Sequence, residues 1–396
     1  MRDPLASVFL RRPDAWLDST PMSSHWMPAQ PGDLLADIDT PALILDLDHF
    51  DANLERMMAA AAAAGVRVRP HAKSHKSLQI AHRQMAAGAI GVCCQKIGEA
   101  EVFLGGGIRD VLITNEIVGV RKLRRLAQLA KMFSGARLGL CVDDIGVVRQ
   151  LSLVCAEEDA ELDVYVELDV GQNRAGVTTP AEVVELAREV MRHPRLTLMG
   201  LQAYAGSAQH RRGVPERRAA SHRAAKRAAE ARALMREAGL PCEIVTGGGT
   251  GTFMYDASGE VYDEIQPGSF IFMDVDYARN EADPDVPQFE HSLFLLATVM
   301  SMRGERATLD AGLKAFSTDS GPARLTFSGW QVQSVSDEHS VLTRIDEGGP
   351  EIRIGAKALL LPGHCDPTVN LHDWIVAVRK GKVEDVWRID ARGEVF

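Results

Sequence analysis

The stretch Arg69-Pro70-His71-Ala72-Lys73-Ser74-His75-Lys76 decides how this chain reads. It comes just after a short strand-like run, Val66-Arg67-Val68-Arg69, near the start of an alternating strand–helix pattern. A lysine at the carboxyl end of a first barrel strand can point into the barrel mouth. There, burial and neighbouring positive charge are expected to lower the pKa of Lys73, which suits it to forming a Schiff base. A lone lysine is more often a surface residue, so the weight of the reading rests on the residues downstream of it.

Strand signals recur at 66–70, 89–94, 111–115, 138–142, 163–169, 198–204, 243–247 and 265–272. Helical stretches lie between them near 75–87, 97–105, 120–133, 144–158, 180–193 and 216–239. Each strand is short and apolar and ends in polar or glycine-rich residues, the signature of a parallel sheet under covering helices. Eight such units favour an α/β fold of the closed (β/α)8 TIM-barrel type over an open doubly wound sheet. Upstream, Ala42-Leu43-Ile44-Leu45 reads as a strand and Asp48 to Ala64 as a helix, with Asp48 as N-cap and Gly65 as the stop. Residues 1–38, rich in Pro, Ser and Asp, read as an arm packing with the β-domain. The barrel is expected over 39–285. After the linker Asp283-Pro284-Asp285-Val286-Pro287, strands without long helices between them mark a β-domain over 286–396.

Of the 396 residues, 46% are apolar, enough for a sizeable core, and 25% are charged, which is ordinary for a soluble protein. A net charge of -10 argues against nucleic acid or an anionic membrane as partner. The pairs Arg211-Arg212 and Arg217-Arg218 read as a solvated helix face. No run is long and apolar enough to span a bilayer, and the N-terminus makes a poor signal peptide. The six scattered cysteines read as buried free thiols, so a cytoplasmic location is the default.

The chemistry-bearing residues fall at strand ends. Thr246-Gly247-Gly248-Gly249-Thr250-Gly251 is a glycine-rich loop whose backbone N–H groups can approach a phosphate. It lacks the Lys-Ser/Thr ending of a nucleotide P-loop. Arg174, in Asp169 to Gly176, can hold a phenolate or carboxylate at the mouth, and Tyr204 and His210 come after the sixth strand. Far downstream, Pro362-Gly363-His364-Cys365-Asp366-Pro367 places an imidazole and a carboxylate two apart. In an extended segment these two face one side, with Cys365 turned away, and suit a divalent metal with open positions. The bland alternative is a hydrogen-bonded turn before Pro367. Lys73 and this pair together point to pyridoxal phosphate (PLP) with help from a metal. His71, His75, His291 and His372 carry no comparable pattern, and Asp337-Glu338-His339 reads as structural.

These segments resemble the D-threonine aldolase family, within the alanine-racemase-like PLP enzymes of fold type III. The resemblance covers about residues 38–396 and rests on TPALILDLD (40–48), RPHAKSHK (69–76), GVCCQKIGEAE (91–101), GQNRAGV (171–177), GLQAYAGSAQH (200–210), TGGGTGT (246–252), QPGSFIFMD (266–274) and PGHCDPTVNLHDW (362–374). It implies that Lys73 carries the cofactor as a Schiff base and that Arg174 sits by the phenolic oxygen. Tyr204 would lie beside the cofactor, and Gly248, Gly249, Thr250 and Ser269 would hold the phosphate. Gln266 falls where the racemases place an arginine against the pyridine nitrogen, and a neutral amide there weakens the electron sink. His364 and Asp366 match the metal pair of the aldolases. Related D-serine and 3-hydroxyaspartate dehydratases usually show a cysteine at the Asp366 position, and a carboxylate favours Mn or Mg over zinc.

The implied reaction is retro-aldol cleavage of a D-3-hydroxy amino acid to glycine and an aldehyde, with His210 as general base and the metal activating the β-hydroxyl. A homodimer is implied by the same resemblance. The rivals are a dehydratase giving a keto acid and ammonia, a metal-free racemase with two opposed bases, and a non-catalytic PLP carrier. The extra β-domain counts against the carrier.

Overall fold

The computed structural model describes residues 27–396, so most of the arm expected over 1–38 lies outside the described residues. Its described part pairs with the far end of the chain. Gly32 N–H donates to Val383 O (2.9 Å) and Leu35 N–H to Gly381 O (3.0 Å).

β1 (Ala42–Asp46) leads directly into α1 (Leu47–Ala64). The cap is Asp46, not Asp48: its carboxylate accepts the N–H groups of Asp48 (3.0 Å) and His49 (3.1 Å). Because the helix starts one residue after the strand, Asp48 falls in the first turn, where a carboxylate favours the helix dipole instead of capping it. Gly65 ends the helix as expected, at φ 72°.

The barrel continues as β2 (Arg67–Val68), α2 (Leu78–Ala86), β3 (Val92–Cys94), α3 (Ile97–Gly105), β4 (Asp110–Glu116), α4 (Val120–Met132), β5 (Arg137–Val142), α5 (Ile145–Glu158), β6 (Leu162–Glu167), α6 (Pro180–Met191), β7 (Leu196–Gln202), α7 (Val214–Glu237), β8 (Ile244–Gly247), α8 (Phe253–Ala257) and β9 (Glu264–Ile265). The strands are parallel in the order β2-β9-β8-β7-β6-β5-β4-β3. The two ends of that order meet. Ile90 N–H donates to Val68 O (3.0 Å), Cys93 N–H donates to Pro70 O (2.8 Å), and His71 bridges Cys93. All eight expected strands are present. The last shortens from 265–272 to Glu264–Ile265, because Pro267 has no N–H to continue the ladder.

Side-chain alternation explains why the strands read as apolar runs. Val92 and Cys94, Val111 and Ile113, Leu140 and Val142, and Val164 and Val166 face the helices. Cys93, Leu112, Cys141, Tyr165, Met199 and Ile244 form a separate cluster inside the barrel. At the strand starts an ion cluster closes the bottom. Arg69 lies 3.1 Å from Glu264 and 2.5 Å from Asp110.

The second sheet contains β10 (Leu293–Arg303), β11 (Arg306–Leu309), β12 (Arg324–Leu325), β13 (Trp330–Val335), β14 (Ser340–Arg344), β15 (Lys357–Leu361), β16 (Trp374–Arg379) and β17 (Lys382–Arg388), with α9 (Cys365–Val369) between β15 and β16. β1, inside the range 39–285 expected for the barrel, is a strand of this sheet, antiparallel to β10 and parallel to β16. Both of its faces are buried, Leu43 and Leu45 toward the main core and Ala42 and Ile44 toward a smaller one. The basic pairs expected on a solvated face do not all lie there. Arg217 is buried and donates to the carbonyls of Arg211 (2.8 Å), Arg212 (3.0 Å) and Glu281 (2.7 Å), pinning the loop before its own helix.

Burial at two positions can be tested. Glu264→Ala leaves the buried Arg69 charge short of its main partner, so it should cost about 3–5 kcal/mol in chemical unfolding. A cost under about 1 kcal/mol would show that the cluster is not holding the barrel bottom. His75 is fully buried with Nδ1 accepting from Ser77 N–H (3.1 Å), and burial pushes its pKa down to about 4. The unfolded chain takes up that proton first, so His75 stabilises the fold above pH ~6.5 and this contribution is lost as pH falls toward ~4. The urea midpoint of a His75→Gln variant should depend less steeply on pH across that window than that of the native protein. An unchanged slope would contradict this.

Candidate active site

The carboxyl ends of the barrel strands enclose a cavity of about 390 Å³ lined by His71, Lys73, Gln95, Thr114, Gln172, Arg174, Gln202, Tyr204, Gly206, His210 and Gln266. Five of the expected residues, Lys73, Arg174, Tyr204, His210 and Gln266, thus line one cavity. Lys73 is carried on a 3-10 turn, Ala72–Ser74. Its ammonium contacts the Asp366 carboxylate, brought from the other domain. The expectation of a lowered lysine pKa does not hold. Burial pulls it down, but Asp366 and Tyr204 outweigh burial and raise it. Asp366 is held below the usual carboxylate range in spite of burial, because Lys73 and His364 favour its charged form.

The Arg174 loop is shaped by one carboxylate. Asp169 accepts the N–H groups of Gly171 (2.8 Å), Gln172 (2.8 Å) and Asn173 (3.1 Å). Gln172 Oε1 accepts Gly206 N–H (3.0 Å), tying this loop to the one that bears His210. Gln266 forms a reciprocal amide pair with Gln202. Its Nε2 donates to Gln202 Oε1 (2.8 Å) and Thr246 Oγ1 (2.7 Å), and Gln202 Nε2 donates back (3.1 Å).

The glycine loop stands beside the cavity. Gly248 has φ 74°, and a Cβ on Gly249 would lie 2.6 Å from Gln209 Oε1. Gln209 Oε1 accepts Gly251 N–H (2.9 Å) and Thr250 Oγ1 accepts Phe270 N–H (3.0 Å), so the loop is braced against the segment bearing the buried Ser269. A glycine-rich loop without Cβ atoms in the way, whose Gly247 O accepts the N–H of the cavity residue Gln266 (2.9 Å), fits a phosphorylated aldehyde such as PLP.

The segment 364–366 is not extended throughout. His364 is extended, but a short helix, α9, starts at Cys365, so Asp366 sits in its first turn. His364 Nδ1 lies 2.7 Å from Asp319 Oδ2, which leaves Nε2 as the ring nitrogen with a free lone pair. The buried Cys365 thiol donates to Asp366 Oδ1 (3.4 Å). Among the described residues no group of three or more His, Cys, Asp or Glu is placed to hold an ion. A cation here would have two protein donors, and water or substrate would complete its coordination. An imidazole and a carboxylate are donors that suit such an ion.

His210 Nδ1 lies 2.8 Å from Asp276 Oδ2. Burial lowers the His210 pKa, with Asp276 opposing, which favours the neutral ring. His71, to which the sequence lends no pattern, also lines the cavity. Its Nδ1 accepts Lys73 N–H (3.4 Å), and its Nε2 lies 2.8 Å from Gln95 Nε2 and 3.1 Å from Thr114 Oγ1. Burial and Lys73 keep it well below its ordinary pKa. Gln202, Asp276 and Asp319 were also invisible in sequence. For His71 the signal was its place two residues before Lys73.

Two family models match the chain, one described as alanine racemase, N-terminal domain, over residues 45–276, and one as a putative serine dehydratase domain over 292–378. A D-threonine aldolase of an Arthrobacter species is 48% identical over 368 residues, 92% of this chain and 96% of that protein. A 3-hydroxy-D-aspartate aldolase of Paracoccus denitrificans is 43% identical over 377 residues, 93% of this chain and 96% of that protein. A D-threo-3-hydroxyaspartate dehydratase of a Delftia species is more distant, 30% identical over 363 residues, 85% of this chain and 93% of that protein. The crystal structure of D-threonine aldolase from Filomicrobium marinum superposes with a TM-score of 0.90 at 48% identity, covering 93% of this chain and all of that one. The chain belongs to the alanine-racemase-like PLP enzymes and, within them, to the group of D-threonine and 3-hydroxy-D-aspartate aldolases. It is a carbon–carbon lyase working by PLP-dependent retro-aldol cleavage.

Gly249→Val should weaken PLP binding about tenfold or more without altering the far-ultraviolet circular dichroism. Titration monitored by the cofactor's visible absorbance reads the change. Native affinity in this variant would exclude the loop as the phosphate cradle.

Proposed function

We propose that the chain cleaves D-3-hydroxy amino acids of the D-threonine type to glycine and an aldehyde, using PLP and a divalent ion, Mn or Mg. The observation that carries the reading is the contact between Lys73 and Asp366, which brings the cofactor-binding amine and a metal-type carboxylate together at the barrel mouth. When bound, PLP supplies an electron sink for the Cα–Cβ bond pair, and the ion supplies positive charge that acidifies the β-hydroxyl.

The residues divide the remaining work. Lys73 is the amine that attaches the cofactor. Gly248, Gly249, Thr250 and Ser269 would hold its phosphate, Arg174 would face the phenolic oxygen, and Tyr204 would lie alongside. Gln266 is a neutral amide whose Nε2 hydrogens already go to Gln202 and Thr246, so it would bring no charge to the pyridine end and more of the bond breaking would fall to the ion. His364 and Asp366 hold that ion. His210 takes the β-hydroxyl proton, for which a neutral ring of lowered pKa is suited. The higher identity to the aldolases and the carboxylate at 366 both favour this reading over dehydration. The family's usual assembly supports a homodimer, and six buried free cysteines support a reducing, cytoplasmic setting.

The purified enzyme with PLP and D-threonine should yield glycine and acetaldehyde, lose this activity after EDTA treatment, and regain it with Mn²⁺. Ammonia and 2-oxobutyrate would instead identify a dehydratase. His364→Ala should lose the response to Mn²⁺, and a calorimetric titration should show weakened ion binding. An undiminished response would remove His364 from the metal site.

A further inference from the structure

We propose that Asp276 is the positioning residue of the base: it fixes the His210 proton on Nδ1 and keeps Nε2 bare as the acceptor in the cavity. This rests on His210 acting as base. Asp276 Oδ2 lies 2.8 Å from His210 Nδ1. Its other oxygen, Oδ1, pairs with both Arg212 (2.5 Å) and Arg279 (3.3 Å), which leaves Oδ2 for the ring. Arg212 also donates to the Asp276 carbonyl (2.6 Å) and to Asn280 Oδ1 (2.8 Å), while Arg279 donates to Ser320 O (2.9 Å).

A carboxylate whose other oxygen is paired with two guanidinium groups accepts and does not donate, so at 2.8 Å it favours a proton on the ring atom facing it. A neutral imidazole carries one proton, which leaves Nε2 with its lone pair. The ring's tilt is set as well, by Tyr277, whose ring centroid lies 4.7 Å away.

The same residue sets the distance between base and metal pair. Asp276 N–H donates to Gly363 O (3.1 Å), and Val275 N–H donates to Pro362 O (3.0 Å). The carboxylate that orients His210 thus hangs from a backbone segment bonded directly to the one bearing His364 and Asp366. A plain surface ion pair would need neither the second guanidinium nor this register.

The test uses the holoenzyme with PLP, Mn²⁺ and D-threonine. Asp276→Asn should lower kcat by about 10- to 100-fold with KM changed by less than about threefold, and Asp276→Glu should recover part of the loss. ¹⁵N spectra of histidine-labelled native enzyme, with the His210 signal identified by its absence in His210→Asn, should show Nδ1 protonated and Nε2 bare. A proton on Nε2 in the native enzyme overturns the proposal, and this reading does not depend on the variant folding. Native kcat in a folded Asp276→Asn also overturns it. Full activity in His210→Asn would instead overturn the base reading on which the proposal rests, so the two failures are distinguishable.

Discussion

Three hydrogen bonds donated by backbone N–H groups run between the two segments that carry the halves of the site. Val275 and Asp276 donate backbone N–H groups to Pro362 and Gly363, and Cys365 N–H donates to Asp274 Oδ2 at 3.0 Å. The barrel supplies Lys73, Arg174, Tyr204 and His210, while the β-domain supplies His364 and Asp366. Nothing in either sheet alone puts these groups within reach of each other. The strap 274–276 does so by leaving the barrel alongside the segment that enters α9. β1 reinforces it, since a strand that pairs with β10 and β16 and then runs into α1 ties the second sheet to the first helix of the barrel.

Within that frame the charges sort by place. Asp366 holds the lysine ammonium, and burial together with that ammonium keeps His71 neutral beneath it. Gln202 and Gln266 close the opposite corner with a self-satisfied amide pair. The two histidines assigned to chemistry each have Nδ1 against an aspartate, at 2.8 Å for His210 and 2.7 Å for His364. In both rings this frees Nε2, one for a proton and one for an ion. A site built from fixed tautomers needs little rearrangement when charge develops on the substrate.

Much of the barrel was legible because parallel strands must be apolar on both faces, and runs such as Val111-Leu112-Ile113 carry that signal within a few residues. Lys73, Arg174, Tyr204, His210 and Gln266 were legible because they sit at strand ends or in family motifs. The rest depends on contacts distant in sequence. Asp276 meets His210 across 66 positions of chain, and Asp319 meets His364 across 45. Neither aspartate has a local pattern that distinguishes it from a surface acid. The lysine's raised pKa was hidden for the same reason, since its partner is 293 residues away. The helical start at Cys365 was missed because the segment before Pro367 reads as extended or as a turn, whereas proline is well accommodated in a first helical turn.

The most direct test of the central claim, that base and metal pair meet at Lys73, is anomalous diffraction from crystals of the enzyme grown with PLP and Mn²⁺. The account predicts a manganese peak bound by His364 Nε2 and the Asp366 carboxylate, with His210 Nε2 within hydrogen-bond reach of a ligand of that ion and cofactor density continuous with Lys73 Nζ. A peak at any other donors, or His210 turned away from it, would contradict the account.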